Sequence, residues 1–261
     1  SPPARILTRC IHPPQASAAR TEADAVLLAW HRGAASPQSV VGPLSRVSAC
    51  SFIDTPLAEA ERREFMALSG GKPSPLTMAY HWARAALPSC LLTRVGSDDG
   101  EVVLDFLRRN EIGHLPGSIT APGRSAAIDV VIGADRQPHM DNFVEGVWHS
   151  LRLTPEEEVA VAAAVSLHCV LVDPVDAEVH RLGTDGALAH LAVSGDFLDF
   201  RHFSVERFAA TMRYLALGFV GWPGDPDDAV VQGVRSVAAD LGRTVVVTLG
   251  SRGVLLVTGP T

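Results

Sequence analysis

Three short segments carry the residue types that could bind a phosphate or a sugar. The first covers residues 69–75, SGGKPSP, where paired glycines precede a predicted helix start. Glycines let backbone N–H groups approach a ligand oxygen, and a helix N-terminus favours an anion. The same residues would also make a plain turn from a loop into a helix. Taken alone, this segment leaves both interpretations open.

The other two segments follow predicted strands. Residues 94–100, RVGSDDG, place two carboxylates in a polar turn. Asp98 there could hold sugar hydroxyls or cap the next helix. Residues 247–253, VTLGSRG, have glycines at a strand end. Such glycines could admit a nucleotide or form a tight hairpin. Neither segment is specific by itself.

Several catalytic classes lack their motifs in this sequence. No G-x-x-x-x-G-K-[ST], G-x-G-x-x-G or G-x-S-x-G pattern occurs. The ten histidines form no H-E-x-x-H or H-x-H pattern, and His168 lies in an apolar run that favours a core role. The four cysteines include no C-x-x-C pair, which argues against a zinc cluster or a redox pair and fits reduced thiols in a cytosol.

The amino-acid composition and net charge limit the classes of molecule that this protein could bind. The 261 residues are 47% hydrophobic and 20% charged, which suits one large globular domain. The net charge of −7 argues against a general nucleic-acid binder, because such proteins need clustered positive charge. The apolar runs are too short to span a bilayer, and the N-terminus lacks the pattern of a signal peptide. We therefore expect a cytoplasmic protein that binds small molecules or other proteins, without nucleic-acid or membrane partners.

Apolar strands alternate with amphipathic helices along the chain. Strands are predicted at residues 90–95, 126–132, 169–172, 191–194, 244–249 and 254–257. Helices are predicted to begin at Pro75, at Glu101, at the capping box of Thr154 and Glu157, after Ser204 and near Asp227. The last of these has its apolar residues at helical spacing on one face and is predicted to stop at Gly242. This alternation predicts an α/β fold with a mostly parallel central sheet and helices on both faces. With no internal repeat or clear boundary, residues 1–261 are predicted to form a single domain.

The order of these pieces resembles the ribokinase/phosphofructokinase-B (PfkB) family of carbohydrate kinases. SGGKPSPLTMAYHWARAALPSCLLTRVGSDDGEVVLDFLRRNEI is similar to the family's first signature, a Gly-Gly turn, helix, strand and V-G-x-D-x-x-G turn. VVVTLGSRGVLL resembles the strand and glycine turn that lie against ATP. FVEGVWHSLRLTPEEE and AVSGDFLDFRHFS are most similar to the fructoselysine 6-kinase branch. The resemblance covers roughly residues 48–257 and implies a ribokinase-like three-layer sandwich.

The resemblance also implies roles for individual residues in sugar binding. Gly70 and Gly71 would form the floor of the sugar pocket, with Lys72 standing where the family has asparagine. Asp54 and Asp98 would bind sugar hydroxyls. These residues would be the substrate-binding group.

The nucleotide group follows from the second half of the chain. Thr248, Gly250 and Gly253 would lie near ATP, and Asp225 stands roughly where the family has the metal-organising glutamate of N-x-x-E. The resemblance thus implies ATP and Mg²⁺ as cofactors. The asparagine of that motif is missing, since GWPGD replaces it.

The largest departure is the absence of the family's G-A-G-D motif after the TLG strand. TEADAVLLAWHRGAASPQSVV near the N-terminus is similar to the family block that contains this motif. In a circularly permuted order, residues 1–45 would be that block, residues 46–261 the core, and Asp24 the catalytic base. An ordinary surface helix would have the same acidic first turn. Glu22 would repel a phosphate there, so we expect weak or absent turnover.

The leading functional prediction is ATP-dependent phosphorylation of a hydroxyl on a sugar or sugar-amine. The alternative is a non-catalytic or repurposed ribokinase-fold protein that binds a small molecule or a partner protein. A small sugar-like substrate is expected in the first case, and a homodimer is compatible with either.

Overall fold

A computed structural model of the chain describes residues 9–10, 75–84, 89–132, 138–200 and 203–259. The described residues divide between two compact units. The C-terminal unit contains residues 9–10 and the described residues from 165 to 259, and the middle unit contains those from 75 to 164. The prediction of a single domain over residues 1–261 stays a prediction.

Short strands and helices follow one another through both units. The helices are α1 Pro75–Arg84, α2 Glu101–Arg109, α3 Pro116–Ile119, α4 Pro155–Ala163, α5 Asp173–Thr184, α6 Val205–Met212 and α7 Ala229–Leu241. The strands are β1 Arg9–Cys10, β2 Cys90–Leu91, β3 Val95–Gly96, β4 Gly113–His114, β5 Thr120–Ala121, β6 Ala127–Ile132, β7 Pro138–Val144, β8 Ser166–Val170, β9 Ala192–Asp199, β10 Leu217–Gly221, β11 Thr244–Thr248 and β12 Val254–Thr258. In the described ranges, no helix is both long enough and apolar enough to cross a membrane.

The C-terminal unit is built on a six-stranded sheet in the order β1-β12-β11-β10-β9-β8. Strands β8 to β11 are parallel, whereas β12 runs antiparallel to β11 and β1 antiparallel to β12. Helices α5, α6 and α7 connect the successive parallel strands, which gives three βαβ units. This arrangement confirms the predicted α/β fold with a mostly parallel sheet.

Helix α7 shows how local sequence determines an element in this unit. Val231, Val234, Val237 and Ala238 form its buried stripe, at the helical spacing that the sequence predicted. Gly242 ends the helix with φ of 62°, in the left-handed region where glycine carries no Cβ penalty. The helix therefore begins after Asp228 and stops where the pattern stops.

The middle unit packs α1 and α2 over its own small core. Tyr80, Phe106 and Leu107 are fully buried, and the rings of Tyr80 and Phe106 lie 5.8 Å apart between centroids. The paired strands β2–β4 and β3–β5 are two residues long and parallel. Strand β6 agrees with the strand predicted over residues 126–132, and it pairs antiparallel with β7.

The single strand predicted over residues 90–95 is wrong. The structure divides it into β2 and β3, each in its own two-stranded sheet within the described residues and outside the six-stranded sheet. Arg94 lies between the two strands, and its guanidinium binds Glu157 and the carbonyl of Arg152. Cys90 and Val95 are nevertheless buried, so the apolar character of the segment was interpreted correctly.

Arg94 and Glu157 form a buried ion pair in the middle unit. Their side chains are 8% and 1% exposed, and both guanidinium Nη atoms donate to the carboxylate, at 2.6 and 2.7 Å. Ser118 Oγ donates to the same carboxylate at 2.9 Å, and the backbone N–H of Thr154 at 2.8 Å. Glu157 N–H donates back to Thr154 Oγ1 at 3.3 Å, which completes the predicted capping box.

Two buried thiols are free and neutral. Burial raises the pKa of Cys169 to about 12. Burial, with the negative charges of Glu157 and Glu156, raises the pKa of Cys90 to about 11. Because the thiolate is the reactive form, both side chains are poor nucleophiles in the folded protein.

His168 lies within β8, where its Nδ1 is 2.9 Å from Ser194 Oγ on β9. Its ring meets Phe219 of β10 edge-on, with centroids 6.2 Å apart. Burial lowers the pKa of this imidazole to about 4, so the side chain is neutral near pH 7. These contacts agree with the core role predicted from the sequence.

A pH dependence of stability follows from His168. The unfolded chain takes up a proton on this imidazole below about pH 6.5, whereas the folded chain does so only below about pH 4. We therefore expect stability to fall by up to about 3 kcal/mol as the pH drops from about 6.5 to 4. Urea unfolding at several pH values would measure this loss. His168→Gln should lack it in that window, and an equal loss in wild type and variant would contradict the assignment.

Candidate functional site

The carboxyl ends of β9, β10 and β11 lie at one edge of the six-stranded sheet. Asp199 is opposite Gly221, and Gly221 is opposite Thr248, so the three parallel strands end in register. Ligands of open α/β sheets bind at the carboxyl ends of their strands. This edge of the C-terminal unit is therefore where we expect a ligand site.

The turn between β11 and β12 presents open backbone at that edge. Gly250 has φ of 61°, and apart from its chain neighbours Leu249 and Ser251 no described residue has an atom within 4 Å of the position that a Cβ would occupy there. Gly253 also has positive φ, at 98°, and its carbonyl accepts from Leu249 N–H at 2.9 Å. Thr248, just before the turn, is exposed. Because Gly250 itself carries no side chain, its backbone is open to a flat base or a phosphate on the side where a Cβ would stand.

A bulge lies beside this turn at the end of β9. The pairing register of β9 with β10 shifts just before Gly221, and Leu198 adopts φ of 53°. Asp196 stabilises that conformation, since its Oδ1 accepts from Leu198 N–H at 2.8 Å. A Cβ on Gly221 would stand 2.7 Å from the Leu198 carbonyl oxygen. Bulges and positive-φ residues of this kind concentrate next to functional sites.

Asp228 holds the loop that follows β10. Its Oδ2 accepts from the indole N–H of Trp222 at 2.9 Å and from the backbone N–H of Asp225 at 2.8 Å. Asp228 occupies the N-cap position of α7, but its side chain makes no capping bond to that helix. The carboxylate thus fixes the loop rather than the helix.

Arg252 joins this loop to the glycine turn. Its Nη1 donates to Asp225 Oδ1 at 2.8 Å, and its Nη2 donates to the carbonyl of Pro223. The structure therefore brings the four residues predicted for nucleotide binding to one edge of the sheet: Thr248 at the end of β11, Gly250 and Gly253 in the turn after it, and Asp225 in the loop after β10. Sequence reasoning missed Arg252 and Asp228, although polar residues just after two parallel strands were a signal for them.

Asp98 lies in the middle unit, in the turn between β3 and α2. Its backbone N–H donates to the Gly123 carbonyl at 3.0 Å, and its exposed carboxylate accepts from Ser97 Oγ at 3.0 Å. The alternative that Asp98 caps α2 is wrong, because Gly100 is the N-cap and no side chain caps it. Asp98 therefore keeps its carboxylate at the surface.

Asp99 is the carboxylate that shapes this turn. Its Oδ1 accepts from Ser125 N–H at 2.7 Å. Hydrogen bonds from the backbone and side chain of Ser125, with Arg124 beside them, lower the pKa of the Asp99 carboxyl. A Cβ on Gly96 would stand only 2.3 Å from the Gly123 carbonyl oxygen, so the strand before the turn requires glycine. Gly96 and Asp99 thus have structural roles in this turn that are separate from any ligand.

The remaining predicted site residues lie outside the described part of the chain: Asp24, Asp54, Gly70, Gly71 and Lys72. Their roles, and the permuted order that would make Asp24 the base, stay predictions.

The described residues do not fit a protein-held metal ion. Within the described ranges, no group of three or more His, Cys, Asp or Glu side chains is arranged to bind one. Asp225, the residue that the resemblance implied for organising Mg²⁺, has its Oδ1 bound by the Arg252 guanidinium. We therefore derive no chemical step through a metal.

The comparisons with known proteins identify a fold for this chain but match no family model. No protein-family model matches the sequence. A curated relative, one of the subunits of the F420-non-reducing hydrogenase vhu of Methanocaldococcus jannaschii, is 28% identical over 100 residues, which are 36% of this chain and 24% of that protein. So short a match says little about the whole chain.

Solved structures of similar fold include sugar kinases, all at low sequence identity to this chain. An uncharacterized sugar kinase from Pyrococcus horikoshii has a TM-score of 0.55 at 15% identity, covering 73% of this chain and 64% of that one. A PfkB protein from Polaromonas sp. JS666 has a TM-score of 0.54 at 19% identity, covering 69% of this chain and 67% of that one. Ribokinase from Giardia lamblia has a TM-score of 0.54 at 14% identity, covering 66% of this chain and 57% of that one. This chain thus spans about three fifths to two thirds of these kinases. On this likeness, the chain has a ribokinase-like α/β fold.

Proposed function

We propose that the protein is a carbohydrate kinase that transfers the γ-phosphoryl group of ATP to a hydroxyl of a sugar or sugar-amine. The supporting observation is the open backbone at Gly250, beside exposed Thr248, where parallel strands end in a ribokinase-like sheet. The kinases of similar fold named above include a ribokinase and a sugar kinase. ATP would bind across this edge, with its base or phosphates against the glycine turn.

In this proposal the chain mainly positions the reactants. The Gly250 turn offers backbone to the nucleotide, and the Thr248 hydroxyl, a weak donor to the Val220 carbonyl at 3.4 Å, still has lone pairs that can accept. Phosphoryl transfer depends on such positioning and on charge stabilisation. Asp54, Gly70, Gly71, Lys72 and Asp98 remain the proposed sugar residues.

Asp24 remains the proposed base, and we expect weak turnover even so. Efficient transfer needs backbone N–H groups arranged around the phosphate, and the sequence has Thr21, Glu22 and Ala23 where the family has glycines. Loss of one such donor costs roughly 10²–10³ in rate. Binding of ATP without transfer would favour the non-catalytic alternative.

Nucleotide binding gives the first test, with a matched pair of glycine variants. Gly250→Leu fills the open space at the carboxyl edge and should weaken ATP binding at least about tenfold. Gly186→Leu is the control, because Gly186 also has positive φ (76°) and open space, but precedes β9 at the opposite, amino edge. Both variants should lose similar stability through backbone strain, roughly 1–2 kcal/mol.

Isothermal titration with ATP and chemical unfolding would measure the two effects, and ADP formation with a panel of sugars would then test transfer. Failure of the wild-type protein to bind ATP would reject the proposal. Equal weakening of ATP binding by both leucine variants would remove Gly250 from the site.

A further inference from the structure

The ion pair between Arg252 and Asp225 is not explained by stability. The two side chains are 40% and 74% exposed, and exposed pairs of this kind contribute about 0–1 kcal/mol. The pair does, however, fix the position of a cation. It ties the glycine turn to the loop after β10, at the edge where the nucleotide is proposed to bind.

The guanidinium of Arg252 has donors to spare. An arginine carries five N–H groups, and in the described structure Arg252 uses two, for Asp225 Oδ1 and the Pro223 carbonyl. The other three make no hydrogen bond to the described residues. A planar, permanently charged group with several donors is the side chain best suited to a phosphate oxygen.

A chain of contacts orients this guanidinium. Asp228, at the start of α7, accepts from the backbone N–H of Asp225 and from the Trp222 indole. That loop in turn offers the Asp225 carboxylate and the Pro223 carbonyl, which hold Arg252 from two sides. Asp225 thus acts through Arg252, beside a backbone that is open at Gly250.

We infer that Arg252 binds a phosphate of the nucleotide and that Asp225 is its positioning residue rather than a metal-organising one. The inference rests on the proposed nucleotide binding and deepens it. Because the guanidinium is part of the chain, its contact with phosphate does not depend on Mg²⁺. The ligand class that it selects is a nucleoside phosphate over the bare nucleoside.

Binding of ATP, ADP and adenosine to Arg252→Met tests the inference, with and without Mg²⁺ (EDTA present). Methionine keeps much of the stem and removes the charge. We expect ATP binding to weaken about 10- to 100-fold in both conditions, as for loss of a charge-assisted bond, while adenosine binding changes less than about twofold. Arg213→Met, an exposed arginine just after α6, is the control and should bind ATP like the wild type.

Asp225→Asn separates positioning from metal binding. A positioning residue should weaken ATP binding equally with and without Mg²⁺, by about 3- to 10-fold, and add nothing in the double variant with Arg252→Met. A metal-organising Asp225 would instead lose affinity only with Mg²⁺ present, which would overturn its assigned role.

Each remaining outcome is decisive. Unchanged ATP binding in Arg252→Met, or equal losses for ATP and adenosine, overturns the inference while the proposed function stands. Failure of the wild-type protein to bind ATP in either condition rejects the proposed function, and this inference with it.

Discussion

Glu157→Ala is expected to destabilise the protein by about 3–5 kcal/mol, because it leaves Arg94 charged and buried without its partner. Burial by itself would raise the pKa of the Glu157 carboxyl. The bonds from Arg94, Thr154 and Ser118 outweigh that effect and lower the pKa. The carboxylate is therefore strongly bound in the folded state. Urea unfolding near pH 7 would measure the loss.

An exposed pair in the same unit supplies the control. Glu101 and Arg108 approach to 2.7 Å, almost the same distance, but their side chains are 75% and 55% exposed. Glu101→Ala should cost less than about 1 kcal/mol. Equal costs for the two alanine variants would show that burial of Arg94 and Glu157 is less complete than the structure has it. Acid should also weaken the wild-type protein, since stability from a carboxyl with lowered pKa is lost as the pH falls through that pKa.

Phe197→Ala is the second substitution with a large expected effect. The side chain is fully buried, and its ring lies 4.7 Å from Phe208 of α6 and 6.4 Å from Phe200, measured between centroids. Removing it leaves a cavity between β9 and α6 that rigid neighbours cannot fill. The expected cost is about 3–5 kcal/mol in the free energy of unfolding, measured by guanidinium unfolding.

Phe203→Ala is the matched control, because Phe203 joins the same cluster but is only partly buried. Its ring is 5.1 Å from that of Phe197 and carries the Arg207 guanidinium at 4.7 Å. We expect a cost of roughly 1–2 kcal/mol for the lost burial and cation–π contact. A cost for Phe197→Ala no greater than this would mean that α6 closes over the cavity, and a comparison of m-values would show such a rearrangement.

Elements set by neighbouring residues could be predicted from the sequence. The capping box at Thr154, the buried stripe of α7 and its end at Gly242 depend on local spacing and on one turn chemistry. The parallel sheet followed from the alternation of strands and helices. These features depend on residues close together in the sequence and not on distant contacts. The structure confirmed the predictions made for them.

Elements set by distant residues could not be predicted in the same way. Arg94 interrupts a predicted strand because of a partner 63 residues away, and no local pattern shows that partner. Strand β9 extends to Asp199, beyond its predicted end at Ser194, because residues 194–199 pair with β10.

The candidate site divides in the same manner. The glycines of the TLGSRG turn were recognisable because positive φ selects for glycine, and Thr248 stood next to them. Asp225 was placed by resemblance, but its pairing with Arg252 depends on two loops that meet only in the folded sheet. The prediction that Asp98 caps α2 was wrong, because Gly100 takes the N-cap position and the carboxylate that holds the turn is that of Asp99.

The two buried thiols supply a separate reporter for each unit. Cys90 belongs to the middle unit and Cys169 to the C-terminal unit, and both are kept neutral and out of solvent. Alkylation of either one must wait for its surroundings to open, so its rate follows local opening rather than intrinsic reactivity. Mass spectrometry that follows the Cys90 and Cys169 peptides, two of the four cysteine positions in the chain, would therefore time the opening of each unit separately in one sample of unmodified protein.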